Sequence, residues 1–391
     1  MRSKWFVLFS LLVMVSMVLA ACGQATEAPA TEAPATEAPT EAPVATEVPV
    51  QDLTINLGTY PDLLDPQKAS FVNEIAHIKL VYEGLTRLDA NLETVPGAAE
   101  KWEYSADLKE LTFTLREGLT YSDGTPLNAK RFEYSLLRNL DPAVAGEYSG
   151  ITDEIVGAAE YRTADLTTVT PEQLEALKAA VGVKALDKAG NACTGYDQAD
   201  CLTLKITLKQ PAPYFHTVMG LWVTYPAKEE LITEGGETWW NEAKYHVGNG
   251  PLALSILEPS TQAVFVPNTN YWRGMAKINV IFKYITDSAV SFEAYKNGEF
   301  DIIGLAAEDL ATVEADATLN AEKMIYPGSC TYAVYFTSFK EPFTDVKVRE
   351  AFMYALDREG WVTDVLKGLG SPTLTWIPKG FPGYDADETR Y

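Results

Sequence analysis

The side chains that most often carry acid–base or metal chemistry are few and widely spaced in this chain. Its three histidines are His77, His216 and His246, and no two of them have the spacing of a helical zinc pair. The sequence contains no nucleophile elbow, P-loop or dinucleotide-binding glycine motif. We therefore predict no catalytic residue, no metal site and no cofactor, with structural roles for the histidines. A secreted hydrolase stays an alternative, because 54 acidic residues leave room for two carboxylates across a cleft.

The cysteines suggest an oxidising compartment. Cys193 and Cys201 are separated by eight positions and enclose a polar loop. Outside the cytoplasm this spacing favours a local disulfide, with two free thiols as the alternative. Cys330 has no neighbour in the sequence and needs a separate explanation.

Cys22 follows a segment with the features of a secretory signal. Two basic residues, Arg2 and Lys4, precede an apolar run of about 15 residues, which is shorter than a spanning helix needs. The exit Leu19-Ala20-Ala21-Cys22 resembles the bacterial lipoprotein signal. This resemblance implies that residues 1–21 are removed and that Cys22 is lipidated. An ordinary small-residue exit with an unmodified Cys22 is the alternative.

A low-complexity segment follows the signal. Residues 22–51 are rich in Thr, Glu, Ala and Pro, with a five-residue repeat. Such a composition cannot bury a core, and proline with repelling carboxylates favours an extended chain. We expect a tether that holds a globular body off a membrane, and a glycosylated stalk is a lesser interpretation. The protein is then extracytoplasmic and lipid-anchored, in the periplasm or at the cell surface.

The overall charge limits the partners. The net charge is −23, and no basic run follows the signal. Nucleic-acid binding needs patches of Lys and Arg, so we predict no nucleic-acid partner. The hydrophobic content of 47% is that of a globular protein, and the roughly 340 residues after the tether suggest two or more domains.

The pattern of the body mixes strands and helices, which indicates an α/β protein. Alternation in Leu111, Phe113 and Leu115 predicts a half-buried strand, and Asn128 is a candidate helix cap. Strands are predicted at 53–58, 110–118, 201–213, 263–268, 278–285 and 331–339. Residues 288–303 are predicted to form a helix, a glycine turn and a strand. Helices are also predicted at 128–140, 171–182 and 343–359, the last capped by Thr344 or Asp345.

Several motifs, in their order, resemble one family. They include "LDPQKASFVNEIAHIKLVYEGL", "YSDGTPLNAKRFEYSLLR", "VGNGPLALSILEP", "NTNYWRGMAKIN" and "EPFTDVKVREAFMYALDREGWVTDVLKGLG". The chain resembles family 5 of the extracellular solute-binding proteins, which serve peptide-type ABC importers, and within it the oligopeptide-binding proteins.

The resemblance implies a two-lobed α/β fold of the class II periplasmic-binding-protein type. Residues 52–82 and 202–329 would form lobe one, residues 83–201 an inserted subdomain, and residues 330–391 the start of lobe two. Because the family extends further, we expect a C-terminally truncated chain with an incomplete second lobe. In oligopeptide binders a cysteine at the position of Cys330 pairs with one deeper in lobe two.

The resemblance also implies a function without catalysis. A monomer would capture oligopeptides and deliver them to an ABC import permease. Ser70, Phe71 and Val72 match a strand that pairs with the peptide backbone, and Tyr148 matches a tyrosine that contacts the ligand. The sequence departs from the family at Ser70, where an acid can occur, and also at Arg131, Asn249 and Thr337. The alternatives are an oligosaccharide, nickel-chelate or opine binder with the same fold, or a surface adhesin.

Overall fold

In a computed structural model of the chain, residues 50–325, 328, 330–381 and 383–388 are described. The predicted signal, Cys22 and nearly all of the predicted tether lie outside these residues. Within the described part, no helix has both the length and the apolar character needed to cross a membrane.

The described residues mix strands and helices along the chain, which confirms the predicted α/β class. The strands are β1 Gln51–Asn56, β2 Thr86–Leu88, β3 Thr94–Pro96, β4 Ala99–Tyr104, β5 Glu110–Leu115, β6 Val183–Leu186, β7 Thr203–Thr207, β8 Leu252–Glu258, β9 Gln262–Pro267 and β10 Ile278–Lys283. The α-helices are α1 Val72–Val81, α2 Ala129–Asn139, α3 Ala158–Arg162, α4 Pro171–Ala180, α5 Phe215–Val218, α6 Glu229–Gly235, α7 Ser288–Lys296, α8 Leu310–Ala315, α9 Ala317–Glu322, α10 Val346–Ala355 and α11 Arg358–Gly360.

The first sheet has the strand order β1-β10-β9-β8. Strand β1 runs parallel to β10, and the other two pairs are antiparallel. Helix α1 contributes Ile78 and Val81 to a core that includes Phe265 and Phe282 from the sheet. The strand predicted at the end of residues 288–303 is reduced to one bridge, between Ile302 and Ile55.

The second sheet is antiparallel, with the order β4-β5-β7-β6. Along β5, buried and half-buried residues alternate as predicted, and Leu111, Phe113 and Leu115 enter its core. Strand β7 pairs with β5 and β6, and this core extends along the chain to Met219. The boundary predicted at residue 202 therefore divides one sheet, because β7 packs with the residues assigned to the inserted subdomain. The other domain boundaries stay predictions.

Helix α2 binds other segments of the chain through two arginines that are about two helical turns apart. Arg131 binds both carboxylate oxygens of Glu230, at 2.6 and 2.7 Å. Arg138 binds both oxygens of Asp65, at 2.7 and 2.5 Å. Such forked contacts fix direction as well as distance, so they hold the inserted segment in one orientation against its neighbours.

The chain after Val313 is packed differently from the rest, since none of its described residues is buried. Helix α10 forms as predicted, with Asp345 capping the N–H of Lys347. The strand predicted at 331–339 is wrong: these residues have no regular structure. A strand needs a neighbour to satisfy its backbone, and no described strand pairs with this segment.

Candidate functional site

Ser70, Phe71 and Val72 lie where the chain enters α1, and they do not form the predicted strand. Phe71 is the residue before the helix, with φ −93° and ψ 151°, and Val72 is the first helical residue. The extended backbone of Phe71 is what remains of the prediction, because the helix begins one residue later. The ligand-binding role of the three residues stays a prediction.

Glu74 supplies the cap of α1. Its Oε2 accepts hydrogen bonds from the N–H groups of Ser70 at 2.8 Å and Phe71 at 3.0 Å, and the residue is 2% exposed. An acid at the third helical position that reaches back to the preceding N–H groups is one half of a capping box. Because Phe71 has no side-chain acceptor, Glu74 carries the capping here, and it fixes the backbone at Phe71.

Two backbone groups beside Phe71 have no hydrogen-bond partner among the described residues. Within the described residues, the Ser70 carbonyl oxygen and the Val72 N–H make no hydrogen bond. An N–H in the first turn of a helix has no intrahelical acceptor. A carbonyl and an N–H two residues apart are the groups that a parallel ladder offers to one residue of a neighbouring strand. The side chains of Phe71 and Val72 are 62% and 85% exposed, so these groups lie at an open surface.

Tyr148 lies on a loop that is pressed against the segment leading to Ser70. The tyrosine is 41% exposed and precedes a short 3-10 helix, Ser149–Thr152. A Cβ atom placed on Gly146 would overlap the carbonyl oxygen of Gln67. Only glycine permits this approach, and the approach brings the Tyr148 loop beside the start of α1.

Trp222 connects the two predicted site elements. Its Nε1–H donates a hydrogen bond of 2.7 Å to the carbonyl oxygen of Ala69, next to Ser70. Its ring meets that of Tyr148 edge-on, with centroids 5.0 Å apart and planes at 69°. The structure therefore brings Ser70, Phe71 and Tyr148 together through a residue that they share. We call residues 69–72, Tyr148 and Trp222 the exposed wall.

Gln67 fixes the segment behind this wall. Its Nε2 donates to the carbonyl oxygens of Val223 at 3.3 Å and Tyr225 at 3.1 Å. Its Oε1 accepts from Arg138 at 2.8 Å, and the same arginine grips Asp65. The chain before Ser70 and the turn that carries Trp222 are thus held to one another and to α2.

The sequence reasoning missed Glu74 and Trp222. Glu74 carried a local signal, since an acid three residues after the residue preceding a helix indicates a cap. Trp222 carried none, because 153 positions separate it from Ala69. Only the fold reveals that contact.

Two of the histidines are buried and hydrogen-bonded. The ring nitrogens of His77 contact the Asn73 carbonyl oxygen at 2.6 Å and the Tyr284 hydroxyl at 2.7 Å. His246 Nε2 lies 2.8 Å from the carbonyl oxygen of Trp240. Burial lowers the pKa of His77 to about 4 and also lowers the pKa of His246. Both rings therefore stay neutral in the fold near pH 7.

The third histidine is half-buried. The ring of His216 stacks on Trp102, with centroids 4.9 Å apart, and its Nδ1 lies 3.2 Å from the Tyr104 hydroxyl. Across the part of the chain that the structure describes, no three His, Cys, Asp or Glu side chains are grouped so as to hold a metal ion.

Cys193 and Cys201 are disulfide-bonded, with their Cα atoms 5.8 Å apart. The loop that they close carries Tyr196, whose ring lies 3.7 Å from the guanidinium carbon of Arg131. Cys330 is an exposed free thiol, and Cys22 lies outside the described residues. The disulfide thus fixes a loop that covers the Arg131 ion pair.

Both departures at Arg131 and Asn249 have partners in the fold. Arg131 pairs with Glu230, as described above. The Asn249 side chain bonds both backbone groups of Glu83, at 3.0 Å each. The two residues therefore hold neighbouring segments together.

A profile of the bacterial extracellular solute-binding proteins, family 5 Middle, matches residues 93–391. The chain belongs to this family. It is 28% identical over 401 residues to the oligopeptide-binding protein OppA of Bacillus subtilis, covering 100% of this chain and 66% of that protein. It is 29% identical over 388 residues to a probable deoxycholate-binding periplasmic protein of Escherichia coli, YgiS, covering 97% of this chain and 65% of the relative.

Solved structures of family relatives share the fold. Haemophilus influenzae OppA in complex with the peptide RPPGFSPFR matches with a TM-score of 0.68 and 26% identity, over 84% of this chain and 60% of that one. The murein tripeptide binding protein MppA of Escherichia coli matches with a TM-score of 0.72 and 26% identity, over 87% and 62%. The architecture is therefore that of these two-lobed binding proteins. The chain spans less than two-thirds of the length of each of the four proteins named above.

Proposed function

We propose that this protein captures oligopeptides outside the cytoplasm and delivers them to an ABC import permease, without chemical change to the peptide. The observation that carries the proposal is the open pair beside Phe71, the Ser70 carbonyl oxygen and the Val72 N–H. Every residue of an extended peptide except proline has one N–H and one carbonyl to offer such a pair. Recognition through the backbone tolerates many side chains, which suits a transporter of mixed peptides.

The side chains of the exposed wall support the same ligand. Phe71, Val72 and Tyr148 present apolar and aromatic surface beside the open backbone groups. Contact with a peptide side chain of almost any kind would bury part of this surface and so add to the binding free energy. Aromatic rings contribute both a large contact area and favourable edge-on contacts. The family relatives support the proposal too: several are named oligopeptide-binding proteins, and one solved structure holds RPPGFSPFR.

The remaining parts of the proposal concern location. We propose that residues 1–21 are a signal peptide, that a lipid on Cys22 anchors the protein, and that the tether carries a monomeric body. One acyl chain binds a membrane weakly, so a stable anchor needs the paired chains of a lipoprotein. Cys22→Ser should move the protein from the membrane fraction to the soluble extracytoplasmic fraction. Cys330→Ser, which removes the exposed thiol, should leave it in the membrane.

A second ligand class is favoured by one relative. YgiS is named a probable deoxycholate-binding protein and is 29% identical to this chain. Titration of the full chain with RPPGFSPFR and, separately, with deoxycholate distinguishes the two ligands. Our proposal predicts saturable peptide binding that also raises the unfolding temperature. Binding of deoxycholate with no response to the peptide would overturn it.

A further inference from the structure

The Ala69–Ser70 peptide unit is held at both of its polar ends. Trp222 Nε1–H donates to its oxygen at 2.7 Å, and Glu74 Oε2 accepts from its N–H at 2.8 Å. The residues that hold it come from different places: Glu74 lies within α1, while Trp222 lies on the turn Trp222–Thr224. A peptide unit fixed at both ends cannot rotate without breaking a hydrogen bond to a side chain.

The next peptide unit carries the open Ser70 carbonyl. Its N–H, on Phe71, donates to the same Glu74 oxygen at 3.0 Å. Because N–H and C=O of one planar unit point in opposite directions, the Glu74 contact aims the Ser70 oxygen away from the helix. The direction of this oxygen is therefore set by Glu74 directly and by Trp222 through the preceding unit.

Trp222 also sets the position of Tyr148, through the edge-on contact at 5.0 Å. Its own position is fixed, because Gln67 donates hydrogen bonds to the Val223 carbonyl within its turn and to the Tyr225 carbonyl just after it. Trp222 is half-buried. One side chain thus determines both the backbone and the aromatic component of the exposed wall.

We infer that Trp222 is a positioning residue for the ligand, assisted by Glu74. It orients the Ser70 carbonyl and Tyr148 together, so that a peptide residue meets a preformed wall. Preformed geometry raises affinity because less ordering remains to be done when the ligand binds. This inference rests on the proposed function for its consequence in binding, but its structural part can be tested without any ligand.

The test uses Trp222→Phe in the full chain, which keeps a ring against Tyr148 and removes the indole N–H. The matched control is Trp272→Phe, since Trp272 is also half-buried and its Nε1–H donates to Glu83 at 2.6 Å, apart from the exposed wall. Amide hydrogen exchange is measured by mass spectrometry for both variants. We expect exchange at residues 69–71, whose amides are hydrogen-bonded, to rise about tenfold in Trp222→Phe and to stay unchanged in Trp272→Phe.

A second readout links this change to the ligand. With RPPGFSPFR as probe, the affinity of Trp222→Phe should fall about tenfold, while that of Trp272→Phe stays within about twofold. Unchanged exchange at residues 69–71, or a rise spread over the whole chain, would overturn the positioning role. A local rise in exchange, with no peptide binding by the unaltered protein, would support that role and overturn the proposed function instead.

Discussion

The guanidinium group of Arg138 holds the carboxylate of Asp65 through both of its terminal nitrogens, at 2.7 and 2.5 Å. The Asp65 side chain is fully buried and that of Arg138 nearly so. Asp65 also accepts hydrogen bonds from the Gln67 N–H at 3.0 Å and the Trp239 indole at 3.2 Å. This ion pair therefore lies at the point where α2, the segment before α1 and the chain near Trp239 meet.

Asp65→Asn is expected to lower the free energy of unfolding by about 3–5 kcal/mol, because it leaves Arg138 charged, buried and unpaired. Denaturant unfolding measures the change. The control is Asp153→Asn, which breaks a partly exposed pair with Arg162 of similar length, 2.6 Å. Solvent screens that pair, so the control should cost less than about 1 kcal/mol. Equal costs for the two variants would contradict the anchoring role of Asp65.

Because His77 is buried, we expect the protein to lose stability in mild acid. Its pKa is about 4 in the fold because of burial, whereas in the unfolded chain it titrates near 6.5. The stability that neutral His77 contributes to the fold is fully present above pH 6.5. It is lost as the pH falls towards 4, because the unfolded state takes up the proton first. Between pH 7 and pH 5 this group alone should remove about 2 kcal/mol from the free energy of unfolding.

The measurement compares how stability depends on pH in the unaltered protein and in His77→Phe. The variant lacks the two hydrogen bonds of His77 at every pH. Between pH 7 and pH 5, its free energy of unfolding should fall by about 2 kcal/mol less than that of the unaltered protein. His216→Asn serves as the control, because His216 is half-buried and should contribute a smaller slope. Parallel pH profiles for the unaltered protein and His77→Phe would refute this account of His77.

The disulfide predicts a separate effect on stability. Cys193→Ser with Cys201→Ser opens a loop with a sequence separation of eight, which should cost about 2.5 kcal/mol by the chain-entropy relation. Thr194, whose N–H donates to Gln198 Oε1 at 3.0 Å within this loop, should then exchange its backbone amide faster. Cys330→Ser removes an exposed thiol and should leave the unfolding midpoint in place. A double variant as stable as the unaltered protein would contradict the expectation.

Local patterns predicted much of the first two-thirds of the fold. The alternation of apolar residues correctly predicted β5. The polar side chain of Asn128 correctly predicted the start of α2, where its Oδ1 accepts a hydrogen bond from the Lys130 N–H at 3.1 Å. Patterns failed where the outcome depends on distant partners. The alternating residues 331–339 stay irregular without a neighbouring strand, and β7 joined a sheet that the predicted boundary had divided.

In the candidate site, too, some features were predictable from the sequence and others depend on distant partners. Ser70, Phe71 and Tyr148 were expected from the resemblance, and the fold places them on one surface. The strand expected at Ser70 was wrong because Glu74 caps a helix there. Trp222 could not be predicted, since its contact with Ala69 joins segments that only tertiary packing brings together.

The most direct test of backbone recognition removes one N–H from the exposed wall. Val72 is the first residue of α1, a position that accepts proline, and the extended Phe71 before it, with ψ 151°, suits a residue that precedes proline. Val72→Pro therefore deletes the N–H while preserving the helix, and Val72→Ala is the control that keeps it. Our account predicts that Val72→Pro binds RPPGFSPFR about tenfold more weakly than Val72→Ala, with equal unfolding temperatures. Equal affinities of the two variants for this peptide would contradict it.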